Sequence, residues 1–214
     1  MQQWEQIAGQ LAGLERSTLK RIWDWVQDTF FGAQGRQARA NALAFQQTLA
    51  RYVRSLPQEA KRHLARHNAV LLVAPDLEGV RKLRVQLGLS PKTTVAFVKY
   101  ERSREGKPIT LLVVNGTDGR SLEFVHLHEL AHMVDYDPPS RQRITETQEW
   151  RQLPRREKTL ALRSSWENPD RLAPGIYERE AFAHALAWCW FRTDTAKAQT
   201  PSLYLFFKKR GFVR

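Results

Sequence analysis

The chain has 214 residues, 42% of them hydrophobic, with a formal net charge of +12 and a single cysteine, Cys189. This is enough apolar material for one domain with a sizeable core, or for a catalytic domain with a smaller lobe, and it excludes an intramolecular disulfide framework. No stretch reaches the ~18 apolar residues of a membrane span, and the opening MQQWEQIAGQLAGLER lacks a basic region followed by an apolar run, so the expectation is a soluble protein without a cleaved secretory signal.

Residues 1–68 read as an α-helical N-terminal lobe. Ile22, Trp23, Val26 and Phe30 recur at helical spacing behind Ser17 and Thr18, which are good N-cap types, and Gly32 and Gly35 mark a break. A second helix carries Ala42, Phe45, Leu49, Tyr52 and Val53 on one side and ends at Ser55-Leu56-Pro57. A third spans 58–67 and holds His63 and His67 four residues apart. Lys61, Arg62 and Arg66 surround them and no acid lies between, so a solvated basic face is expected there rather than a metal site.

At Ala69 the hydrophobic period changes. The run from Ala69 to Val73 reads as a strand closed by Pro75 and Asp76, and Asp76 can cap a helix running to Gly88. Residues 94–100 and 109–114 are two further strands, joined by a charged loop over 101–108. If 109–114 is an edge strand, its free backbone groups can pair with an extended peptide. This order predicts an α+β domain over 69–214, with a small mixed sheet. The turn 116–119 and Ser121 lead into the next helix as its cap.

That helix carries His128, Glu129 and His132, the HExxH pattern. Positions i and i+4 share a helix face, so the two imidazoles can bind one Zn²⁺ with Glu129 beside its open side. Phe124, Leu127, Ala131 and Val134 give the helix a core-facing stripe. A chance match would occur in roughly 1% of chains of this composition, and unpaired polar groups on a buried helix cost several kcal/mol, a conflict that metal ligation removes. The stretch 136–174, with Trp150 and Trp166, carries no recognisable chemistry and reads equally as a substrate-binding insert or a structural bridge.

A catalytic zinc usually has three protein ligands and an open position for water. The third is sought in Tyr177-Glu178-Arg179-Glu180-Ala181-Phe182-Ala183-His184. Glu180 is the strongest candidate, because Glu180, Ala183, His184 and Ala187 share a face whose alanines permit close helix approach; Glu178 and His184 are the alternatives. Glu178 otherwise reads as a solvated glutamate in the first turn, favoured by the helix dipole.

HELAHMVD, then Glu180-Ala-Phe-Ala183, then Pro201-Ser-Leu-Tyr204-Leu-Phe-Phe207 resemble the gluzincin peptidases that include the catalytic domain of anthrax lethal factor, the Pro-Pro endopeptidases and the MtfA-type peptidases. The resemblance covers roughly residues 95–210. It implies a zincin-like catalytic domain, His128, His132 and Glu180 as zinc ligands, Glu129 as catalytic base, and Asp135 as a residue that orients a ligand histidine. Lethal-factor-like members carry a tyrosine for the transition state where this chain has Ala173, which leaves Tyr177 as the nearest substitute. They often have a second acid where this chain has His184, implying a partner to a ligand or a proton donor there. HELAHM is also similar to the WLM proteases that act on DNA–protein crosslinks, whose further downstream histidines are absent.

The expected function is a zinc endopeptidase acting on an extended peptide or protein substrate, either cytoplasmic or delivered as an effector. The rival expectation is a peptidase-like binding module, or a DNA-associated protease, whose basic surface recognises nucleic acid or an acidic partner. Most Lys and Arg stand singly along helical segments, which describes solvated faces better than a nucleic-acid groove.

Overall fold

The computed structural model describes residues 14, 16–30 (backbone alone at 27–30), 35–91, 95–116, 123–163 and 168–214. The fold is α+β with a small mixed sheet. Its contacts divide the chain into two compact units, 1–52 with 68–122 and 53–67 with 123–214. This division differs from the boundary anticipated at residue 68: the first two helices share a core with the sheet, and the segment 53–67 belongs with the C-terminal part.

In the first unit, α1 (Arg16–Phe30) and α2 (Gly35–Ser55) bring Ile22, Trp25, Val26 and Ala38 to a core completed by Val70, Leu72, Val80, Leu83, Leu111 and Val113. Trp25, rather than the half-exposed Trp23, turns inward, and its indole donates to the Gly79 carbonyl at 3.1 Å. Ser17 and Thr18 lie inside the first turn of α1, which begins at Arg16; Gly32, Thr94, Ser121 and Trp166 fall outside the described residues.

The sheet runs β1 (Ala69–Ala74), β3 (Pro108–Asn115), β2 (Ala96–Arg102), with β1 parallel and β2 antiparallel to β3. The Ile109–Val114 run, apolar but for the buried Thr110, is therefore the central strand, paired on both sides, so the edge position on which peptide pairing was conditional is not met. A strand buried on both faces has no need of alternation, which is why its pattern could not reveal its neighbours. The crossover from β1 passes through α4 (Leu77–Gln86), capped as anticipated by Asp76, whose carboxylate accepts from the Gly79 amide at 2.7 Å. Gly116 closes β3 against β1: its amide donates to the Ala74 carbonyl, and a Cβ there would lie 2.3 Å from Val73 Cγ1.

The second unit contains α3 (Gln58–Ala65), α5 (Phe124–Asp135), the short pair β4 (Tyr136–Asp137) and β5 (Gln142–Arg143), and α6 (Gln148–Arg151). It continues through α7 (Arg155–Arg163), α8 (Pro174–Phe191), α9 (Thr193–Gln199) and α10 (Pro201–Lys209). Among the described residues, α5 and α8 pack along each other extensively. Ala181, Ala183, Ala185 and Ala187 are fully buried, so α8 is small enough on several sides to be enclosed. Behind it, Trp150, Phe182, Phe206 and Phe207 interlock edge to face, with ring centroids 5.1–5.4 Å apart for the Trp150–Phe182, Phe182–Phe207 and Trp150–Phe206 pairs. The 136–174 stretch thus contributes core, including the fully buried Trp150.

Candidate metal centre

The centre lies entirely within the second unit and is made by α5 and α8. One row of α5 presents His128 and His132; one position of α8 answers with Glu180. His128 Nε2 stands 3.2 Å from one Glu180 oxygen and His132 Nε2 3.5 Å from the other, and the two Nε2 atoms are 2.9 Å apart. One ligand atom from each residue falls within 4.8 Å of the others, an arrangement that can hold a metal ion. Two imidazoles and a carboxylate suit zinc or another divalent first-row ion.

Burial alone would raise the Glu180 carboxyl, yet the two imidazoles bonded to it hold it far below the ordinary carboxylate range. His132 shows the reciprocal effect: burial disfavours its charge, and the Glu180 carboxylate outweighs burial and raises it. The carboxylate and the two imidazoles are thus coupled in a largely buried place, the kind of setting in which a cation can be held.

Glu129 is buried on the same helix, and its charge is felt by His132. Asp135, at the end of α5, is 1% exposed. Burial pushes its carboxyl up against the opposing pull of Thr145 and Arg143, which donate to it through the Thr145 amide at 2.8 Å, the Thr145 hydroxyl at 3.0 Å and the Arg143 guanidinium at 3.2 Å. These bonds tie the end of α5 to the segment that follows, while the influence of Asp135 on His132 is electrostatic.

His184, one turn beyond Glu180, packs its ring against His128 with centroids 4.1 Å apart and stacks on Phe124 at 5.8 Å. Burial first, then the neighbouring His128, pushes its pKa down to about 2, so the ring is neutral. It adjoins the three converging ligands without joining them. The Tyr177 hydroxyl is engaged by the Thr159 hydroxyl at 2.9 Å and the Arg155 carbonyl at 3.3 Å, beneath the Arg155 guanidinium. These bonds fasten α8 to α7.

Glu178 departs from expectation. Partly exposed, it accepts from Trp150 Nε1 at 2.7 Å and from the buried Lys158 ammonium at 2.9 Å. His63 and His67 depart likewise. His67 is fully buried and its Nε2 donates to the Met133 carbonyl; burial lowers its pKa to about 4. His63 packs on Phe212 with ring centroids 5.1 Å apart and bonds to the backbone of Val134. Both thus secure carbonyls in the last turn of the ligand-bearing helix, groups that the helix itself leaves unpaired. At the other end, His126 Nδ1 accepts from the Glu123 amide at 3.0 Å and closes the first turn, a role that the reading of the motif overlooked although the spacing of Glu123 and His126 signals it.

Comparison with protein-family models, with curated proteins and with solved structures finds no match for this chain.

Proposed function

We propose that the chain is a zinc-dependent endopeptidase with a zincin-like catalytic unit, hydrolysing peptide bonds in an extended protein substrate. The observation that carries this reading is the convergence of His128, His132 and Glu180 on one point with the buried Glu129 on the same helix. When bound, zinc supplies Lewis acidity, making a water acidic enough to ionise near neutral pH and polarising a carbonyl oxygen. Glu129 takes the proton of the attacking water and delivers it to the leaving nitrogen, so its carboxylate must be ionised when substrate arrives and free to pick up the proton. His128 and His132 keep Nε2 unprotonated toward the ion, and Glu180 offsets its charge. A purely structural site gives no reason to place an acid directly after the first ligand, which favours catalysis over the binding-module reading. The test is Glu129→Gln in the full chain. It is expected to retain zinc while cleavage of an unstructured protein falls by about two or more orders of magnitude. Cleavage at the parent rate would refute the assignment of Glu129.

A further inference from the structure

We infer that His184 is the group that fixes the orientation of His128 once a metal is held, by accepting a hydrogen bond from His128 Nδ1–H. The inference rests on the metal-binding reading above. His128 turns Nε2 toward Glu180 and His132, so a metal takes that nitrogen and the proton of the neutral ring resides on Nδ1. That Nδ1 is buried and has no hydrogen-bond partner. The ring packed on that of His128 belongs to His184, which is only 7% exposed and whose own Nδ1 is likewise buried and without a partner.

A buried nitrogen left without a partner is costly, and each of these is the complement of the other when one carries the proton and the other a lone pair. The two ring centroids are 4.1 Å apart and the planes tilted by 47°, so the pairing asks the His184 ring to turn its Nδ1 toward His128 while His128 keeps Nε2 on the metal side. Phe124, stacked on His184, backs the ring. A neutral acceptor in this position holds the tautomer and plane of His128 without adding negative charge to the centre. His184 is on this account a positioning residue.

The experiment measures zinc affinity of the full chain by competition with a chromogenic chelator, for the parent, His184→Phe and His184→Asn. His184→Phe keeps a ring against Phe124 and removes the acceptor, and should weaken zinc ~10 to 100-fold; His184→Asn, which restores a neutral acceptor, should return to within a few-fold of the parent. In the zinc-loaded parent with ¹⁵N-labelled histidine, the His128 Nδ1–H signal should be protected from exchange with water. Parent-like affinity in His184→Phe, or an exchanging Nδ1–H in the parent, overturns the inference; the second readout needs no variant and stands even where a substitution fails to fold. A parent chain that takes up no zinc contradicts the metal reading itself, whereas zinc uptake indifferent to His184 contradicts this inference alone.

Discussion

Glu178 and Glu180 stand two residues apart on one helix and face opposite ways, and the structure assigns them different work. Glu180 meets the two imidazoles; Glu178 meets Lys158 and Trp150. Lys158 is 2% exposed, so removing Glu178 leaves an ammonium buried without its counter-charge. We expect Glu178→Ala to destabilise the chain by about 3 kcal/mol, the lower end for breaking a buried pair because Glu178 itself is partly exposed. Denaturant unfolding checks this: a loss under 1 kcal/mol would show that water reaches Lys158. Replacing both partners at once, with Glu178→Leu and Lys158→Met, should recover most of the loss, since the desolvated charge goes with its partner. The sequence could say that two acids lay in this turn and that small residues shared the face of Glu180. It could not say what Glu178 faced, because Lys158 and Trp150 arrive from a stretch without a recognisable motif.

Helix α5 is held at both ends by histidines outside the His128–His132–Glu180 group. His67 enters the fold neutral, with its pKa lowered from 6.5 to about 4. Above pH 6.5 neither the folded nor the unfolded chain protonates it and its hydrogen bond is fully available; as pH falls from 6.5 toward 4 the unfolded chain takes the proton first and stability drains away. The full difference amounts to up to about 3 kcal/mol. Denaturant unfolding of the metal-free chain between pH 7.5 and 4.5 should show this decline, and His67→Gln should flatten it; an equal slope in both chains would remove His67 from the account. In the sheet, Gly116→Ala should cost about 1–3 kcal/mol, because the added methyl overlaps Val73 and the strand ends must part. Thermal unfolding checks it, and an unchanged midpoint would mean that the Val73 side chain yields without strain. The elements themselves were largely legible: the Asp76 cap, the end of α2 at Ser55 and the HExxH helix rest on local signals. What local signals lack is the partner. His63 and His67 sat among cations in the sequence and looked solvated, yet their faces close on the backbone of α5.

At the scale of the molecule, the two units each gather segments distant in sequence, which is why a boundary at residue 68 looked natural along the chain and differs from the division by contacts. Residues 53–67 join the unit that holds the His128–His132–Glu180 group, where His63, Arg66 and His67 dock, a long-range pairing with no signature of its own. The formal charge of +12 is spread over both units, and many cations in it bond to neighbours, as Arg66 does to Asp137 and Arg210 to Glu149. Charge therefore describes surface more than function, and the central claim rests on three side chains. Its most direct test is the metal content of the purified full chain after dialysis against zinc, compared with Glu180→Ala. The account predicts one zinc per chain in the parent, with Glu180→Ala left with two histidines and losing both its zinc and its chelator-sensitive cleavage together. Full zinc retention by Glu180→Ala, or a parent that holds none, would contradict it.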